Sequence, residues 1–236
     1  MADNNLAKFS RFKDAPWFPR DTDINILVGG AGGIGSWLTL MLARIGYKPY
    51  VYDFDVLEEI NLGGQLYPKS KVGMHKVDAL VEIVRDFSEE EISVFNERLD
   101  ADTMSCNIVM SAFDNLLARK HMFESWVTNY GDDPNAIFID GRLTMENLTI
   151  FCINGGNSLR INSYRTDFLW DDSEVEEAPC TMKQSSHGAA MIASHMVAFL
   201  TNFIGSNQMI MSSSIPFYWD YFISANLITE NIEPNV

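Results

Sequence analysis

Cysteine is scarce in this 236-residue chain. There are three, Cys106, Cys152 and Cys180, far apart and without a C-x-x-C pair. A four-thiolate zinc site cannot form within one chain from that set, so no structural zinc is expected. The odd count, with an N-terminus (MADNNLAKFSRFKD) that lacks an apolar core, points to a reducing compartment, and a cytoplasmic location is expected. Basic charge is also in short supply: 17 Lys and Arg against 32 Asp and Glu, a net charge of −15. Such a chain repels a nucleic-acid polymer unless a basic patch exists, and the densest basic cluster is only Lys69-Ser70-Lys71. A free nucleotide with its Mg²⁺ stays possible, because a site acts locally. Long apolar runs are absent too. The most apolar stretch, Gly188 to Ile204, is interrupted by Ser194, His195, Thr201 and Asn202. It reads as too short and too polar to span a bilayer and is expected to be a buried helix, with no membrane partner.

What is present is ordinary globular material. Apolar residues make up 47% and charged residues 21%, enough for a real core. No internal repeat or low-complexity segment stands out. Residues 1–23 form an N-terminal arm in which Pro16 and Pro19 break any helix. From residue 24 short apolar runs alternate with amphipathic stretches. Strands are expected at 24–28, 50–52, 92–94, 108–110 and 137–139, and helices at 34–45, around Val77 to Val84, and at 116–127. That rhythm predicts an α/β fold with a mainly parallel, Rossmann-like sheet flanked by helices. After Gly141 the pattern changes. Leu148 to Ile153, Gly155-Gly156-Asn157 and Leu159 to Tyr164 read as a β-hairpin. An acidic stretch follows (Asp167, Asp171, Asp172, Glu174, Glu176, Glu177), which reads as a solvated loop and hints at a basic partner surface. The aromatic tail, Ile215 to Ile232, reads as a hairpin returning to the sheet. Residues 24–236 are thus one domain, with a nucleotide-binding part at 24–140 and a C-terminal part, rich in antiparallel strands and carrying a crossover loop, at 141–236.

The sharpest local signal is Gly30-Ala31-Gly32-Gly33-Ile34-Gly35, a G-x-G-x-x-G between a strand and a helix. Its glycines let backbone approach a phosphate, and the helix start offers free N–H groups and a positive dipole end. Asp53 ends the second strand 18 residues beyond Gly35, the spacing of a ribose-hydroxyl ligand. These features alone indicate an adenine nucleotide.

Further motifs narrow the choice. Asp53-Phe54-Asp55 is followed by Asn61-Leu62-Gly63-Gly64-Gln65, then Val72-Gly73-Met74-His75-Lys76, then Asp114-Asn115 with Arg119. The ordered series resembles the ThiF/MoeB/HesA superfamily, relatives of ubiquitin-activating enzymes, firmly over residues 24–140 and more loosely beyond. The resemblance implies an adenylyltransferase. It would use ATP and Mg²⁺ to activate the C-terminal carboxylate of a ubiquitin-like protein or peptide, usually as a homodimer. By the same resemblance Gly30, Gly32, Gly33, Gly35, Asp53, Asp55, Asn61, Gln65 and Lys76 would hold the nucleotide. Lys76 would be the phosphate cation, Asp114 the Mg²⁺ ligand, and Asp55 a support for the metal. Outside that series Lys76 would be a solvated lysine in a first helical turn, and Asp114 a helix cap. The absence of paired cysteines resembles zinc-free members.

One departure is notable. The family has an arginine in N-L-x-R-Q where this chain has Gly64. Lys69 or Lys71 could supply that charge, another chain could supply it, or catalysis could be lost. In relatives an arginine of the partner subunit's N-terminal segment reaches the site, which makes Arg11 the first candidate and Arg20 the second. Pro179-Cys180-Thr181 resembles the turn that carries the thioester cysteine of ubiquitin-activating enzymes, so Cys180 is a candidate nucleophile, although the acidic stretch before it opposes a thiolate. Cys106 and Cys152 read as inert core thiols. His187 and His195 read as core or interface residues, and His75 as a surface one. The competing functions are a non-catalytic nucleotide-binding scaffold and an NAD-dependent oxidoreductase, for which no Tyr-x-x-x-Lys constellation is visible.

Overall fold

A computed structural model describes residues 7–19, 24–99, 105–169, 185–207 and 215–234. Eight strands form one sheet in the order β3-β2-β1-β4-β5-β6-β7-β8. The five at one side are parallel: β3 (Ser93–Phe95), β2 (Tyr50–Tyr52), β1 (Ile26–Gly29), β4 (Ile108–Ser111) and β5 (Ile137–Thr144). The other pairings are antiparallel and bring in β6 (Asn147–Asn154), β7 (Tyr218–Phe222) and β8 (Leu227–Asn231). The expected α/β class, with antiparallel strands in the C-terminal part and a returning tail hairpin, is what the chain forms.

Alternate residues of each strand feed two cores, as the two-residue period of a strand requires. Ile26, Val28, Met110, Ile137, Ile139 and Ile150 face the helices α1 (Gly33–Arg44), α2 (Lys76–Ser88) and α5 (Ser186–Asn207). Leu27, Val109, Phe138 and Phe151 face α3 (Leu116–Tyr130) and α4 (Ser158–Asp167), where Phe123, Trp126 and Tyr164 form an aromatic cluster. Runs buried on both faces explain why β1, β4 and the start of β5 read as continuous apolar segments.

Two expectations are corrected. Residues 159–164 belong to helix α4, not to the second strand of a hairpin. Asn157 caps that helix by accepting from the Arg160 amide at 3.1 Å, and Arg160, Ile161 and Tyr164 are buried at helical spacing. The glycines before it serve a close approach, because a Cβ at Gly155 would lie 2.1 Å from the Asp133 carbonyl oxygen. The strand partner of β6 is β5, which runs on to Thr144 and turns through Met145 at φ 56°. The second correction concerns α5. At 22 residues, with mean hydropathy 1.4 over its most apolar window, it is long and apolar enough to cross a membrane. Here Ile192, Met196, Leu200 and Phe203 are packed in the core against the sheet.

Residues 7–19 fold back onto the domain. Phe9 and Phe18 are buried beside Gly46, the Tyr47 hydroxyl donates to the Trp17 carbonyl, and Lys8 bonds the Ser88 carbonyl at 2.8 Å and the Glu90 carboxylate at 2.6 Å. All three anchor points lie at the C-terminal ends of α1 and α2.

Candidate functional site

The glycine loop joins β1 to α1 at the carboxyl edge of the parallel strands, where open α/β sheets place their ligands. Gly30 takes φ +94°, and a Cβ at Gly35 would lie 1.8 Å from the Gly30 carbonyl oxygen, so no side chain fits there. No side chain caps α1 and no acidic residue occupies its first turn, which leaves a positive helix end open to an anion. A Cβ at Gly32 would meet nothing nearer than the Gln65 Nε2 at 4.0 Å.

Asp53 is buried against this loop. Its carboxylate accepts from the Ala31 amide at 2.7 Å and the Asp55 amide at 2.8 Å. Burial pushes its carboxyl pKa up, while those two donors and the Lys76 charge pull it down by less. Gln65 is also buried beside the loop, and its Oε1 has no partner among the described residues. Two residues outside the sequence motifs complete the frame. The buried Tyr67 hydroxyl donates to the Ala31 carbonyl at 2.7 Å. Ser36 Oγ donates to the Gly33 carbonyl and accepts from the Leu66 amide, each at 3.2 Å. Both tie the 65–67 segment to the glycine loop. Neither carries a spacing signal, because the bonds that join the two segments span 30 or more residues.

Lys76 opens α2. Its amide donates to the Asp55 carbonyl at 2.9 Å, and its ammonium pairs with the Asp55 carboxylate at 2.6 Å. The lysine side chain is 8% exposed and the aspartate 47%. Asp55 therefore holds Lys76 at the site's edge. Asn61 bonds the Glu58 amide at 2.8 Å within a short 3₁₀ turn (Glu59–Gly63), so its carbonyl oxygen is engaged locally. Asp114 follows β4. The helix-capping role belongs to Asn115, which accepts from the Ala118 amide at 2.8 Å. Asp114 is exposed, and its carboxylate has no hydrogen bond or ion pair among the described residues.

The residues around Gly64 are informative. Lys69 pairs with Glu59 at 3.3 Å, and Lys71 pairs with Glu82. Both candidate replacements for the absent arginine thus face carboxylates. Arg11 is exposed in the segment docked at the far end of α1 from the glycine loop, about 18 Å along a helix of 12 residues. It does not serve the site of its own chain. Arg20 and Cys180 lie outside the described residues. The other thiols are buried, and burial pushes Cys106 up to about 11 and Cys152 higher still, as inert core thiols require. His195 stacks 4.4 Å from the Trp219 ring, with its pKa lowered by burial.

An ATP fits the observed donor set. The open helix end suits phosphate, the buried Asp53 suits a ribose hydroxyl, and the Gln65 Nε2, a donor, lies nearest to Gly32. For Mg²⁺ the fit is narrower. No group of three or more His, Cys, Asp or Glu occurs among the described residues, and Asp114 is the uncommitted carboxylate. Mg²⁺ accepts such a setting, since it takes one or two carboxylates and completes its shell with phosphate oxygens and water.

Fold and loop together define an α/β domain of the doubly wound type with a glycine loop at the carboxyl edge of its parallel strands. The ThiF family pattern matches residues 20–221, and the chain belongs to that family. Among curated relatives, ubiquitin-like modifier-activating enzyme 5 of Oryza sativa subsp. japonica is 26% identical over 165 residues, 68% of this chain and 34% of the relative. Adenylyltransferase and sulfurtransferase MOCS3 of Culex quinquefasciatus is 30% identical over 133 residues, 52% of this chain and 30% of the relative. The chain thus spans about a third of these relatives' length. Among solved structures, PaaA superposes with a TM-score of 0.73 at 15% identity, covering 98% of this chain and 84% of PaaA. E. coli MccB with MccA-N7isoASN gives a TM-score of 0.73 at 16% identity, covering 99% and 74%. At such identities the likeness is one of fold.

Proposed function

We propose that the chain is an ATP-dependent adenylating enzyme for the C-terminal carboxylate of a ubiquitin-like protein or peptide. The observation that carries this reading is the open α1 start, with the buried Asp53 carboxylate beside it and the Gln65 Nε2 nearest to Gly32. Membership of the ThiF family supports it, as do the activating-enzyme relatives and a fold shared with MccB, which has been solved with ATP and with MccA.

In the proposed reaction a carboxylate oxygen attacks the α-phosphorus of ATP. A C–O–P anhydride forms, the bond to the β-phosphate bridge oxygen breaks, and pyrophosphate leaves. Two anions meet in this step, so fixed positive charge sets the rate. The amides at the α1 start hold phosphate oxygens. Asp53 accepts from the ribose. Lys76, held by Asp55, offsets charge on the phosphates. Asp114 would hold Mg²⁺, which would supply positive charge to the phosphates when bound. Gln65 and Asn61 donate amide hydrogens to phosphate or to the substrate tail. A second copy of the chain in a homodimer would supply the charge absent at Gly64, through Arg11. Cys180 would receive the acyl group in a later step, with AMP leaving.

Exchange of labelled pyrophosphate into ATP tests the reading, with peptides bearing free or amidated C-termini as substrates. Exchange confined to free carboxyl termini supports it. ATP binding without exchange on any carboxylate would instead favour a nucleotide-binding scaffold, the reading that Gly64 and the paired state of Lys69 and Lys71 support.

A further inference from the structure

Arg119 is buried beneath the loop that carries Asp114. Its side chain is 7% exposed and reaches three acceptors at once. One terminal nitrogen donates to the Asp140 carboxylate and to the Gly141 carbonyl, the latter at 3.2 Å, and the other donates to the Phe113 carbonyl. Phe113 immediately precedes Asp114. Asp140 lies on β5 beside Ser111, the last residue of β4, and is fully buried. The guanidinium therefore bolts the backbone of the Asp114 loop to the neighbouring strand.

The same carboxylate carries a second fork. Arg142 Nε donates to Asp140 at 2.7 Å, and its terminal nitrogen reaches the Tyr164 hydroxyl at 3.3 Å and the Phe168 carbonyl at 2.9 Å. Burial alone would raise the Asp140 carboxyl, but the two guanidiniums and the Tyr164 hydroxyl hold it below the usual aspartate range. A buried guanidinium and a partly buried one thus share one carboxylate. Arg142 serves the α4 side, which a neutral buried pair with Asp140 would hold by itself. Arg119 is the surplus cation, and its remaining contacts are to the Gly141 carbonyl on β5 and to the Phe113 carbonyl at the Asp114 loop. A buried charge beyond what its partner neutralises is expensive to keep for packing alone.

We infer that Arg119, braced by Asp140, is a positioning residue for Asp114: it fixes the loop so that the Asp114 carboxylate meets the metal of a bound ATP·Mg²⁺. This rests on the adenylation reading above. A lysine keeps the charge but loses the planar fork that spans Asp140 and the Phe113 carbonyl, so it should release the loop.

Calorimetric titration with ATP, with and without Mg²⁺, reads this directly and needs no carboxylate substrate. Wild-type protein should bind ATP more tightly with Mg²⁺ present. Arg119→Lys should lower that metal-dependent gain by about tenfold or more, the usual effect of disturbing the support of a metal ligand, and leave metal-free ATP affinity unchanged. Arg142→Lys, which loosens the α4 side of the same carboxylate, should lower the melting temperature and keep the gain. Should Arg119→Lys fail to fold, Arg119→Gln keeps the question open to test, because it leaves Asp140 and Arg142 as a balanced pair. An undiminished Mg²⁺ gain in a folded Arg119 variant overturns the inference while the adenylation reading stands. Equal loss in Arg142→Lys would mark the cluster as general packing and also overturn it. Wild-type ATP binding that ignores Mg²⁺ would remove both the inference and the role given to Asp114.

Discussion

The two halves of the sheet treat charge in opposite ways. In the parallel half the charged and polar groups of β1, β2 and α2 collect at the strands' carboxyl edge. Asp53 and Lys76 have partners there, and Asp114 and the Gln65 amide have spare bonding capacity. From β5 onward, where parallel pairing gives way to antiparallel, the buried charges point inward and have partners. Asp140 serves Arg119, Arg142 and Tyr164, and Arg160 donates to the carbonyls of Cys152, Ile215 and Ile232. Asp220 accepts from Thr149 at 2.5 Å and from Tyr218. A buried polar group without a partner costs stability, and the unpartnered Gln65 Oε1 lies beside the glycine loop. The Asp140 and Arg160 clusters are framework, and Arg119 is the point where they touch the site.

The largest expected effect falls on the framework. Asp140→Ala leaves the buried Arg119 and the partly buried Arg142 without their carboxylate and should cost about 3–5 kcal/mol in denaturant unfolding. The pH dependence has a definite sign. The folded-state pKa of Asp140 is depressed, so its contribution is complete above the unfolded value and fades as pH falls through the lower folded one. The stability gap between wild type and Asp140→Asn should be wide at neutral pH and narrow below about pH 4. A gap that does not change with pH would mean that Asp140 is not held ionised by its neighbours.

On the open side, effects should appear in activity instead of stability. Lys76→Ala and Asp114→Ala should each lower pyrophosphate exchange by about 10²-fold or more, with melting temperature nearly unchanged. Asp55, left behind by Lys76→Ala, is half exposed and can be solvated. Retained exchange in either variant would overturn its role. Within the glycine loop the two kinds of effect should separate. Gly35→Ala forces a Cβ into the Gly30 carbonyl and should destabilise the fold as well as abolish ATP binding. Gly32→Ala meets no such obstacle and should weaken ATP binding with little loss of stability, as calorimetry beside thermal melting would reveal. The smallest effect belongs to the surface. Arg165 pairs with Glu124 at 2.7 Å with both side chains partly exposed, and Arg165→Ala should change stability by less than about 1 kcal/mol.

The same contrast explains what could be read from the chain. The glycine loop and the Asp53 and Lys76 positions are legible because a strand end, a tight turn and a helix start impose fixed short spacings. The Asp140 cluster is not, since Arg119 and Asp140 are 21 residues apart and a buried aspartate looks like a surface one in sequence. The β5–β6 turn was hidden because Met145 and Glu146 carry none of the usual turn residues. Asn157 suits a turn or a helix cap equally well, and only its bond to the Arg160 amide decides. The arm's aromatic residues were visible, but not the surface around Gly46 and Tyr47 that receives them.

The central claim is that the open edge is an ATP site. Titration of the purified protein with ATP·Mg²⁺ and, separately, with NAD⁺ tests it most directly. Selective binding of ATP that strengthens with Mg²⁺ is expected. Selective binding of NAD⁺, or no binding of either nucleotide, would contradict it.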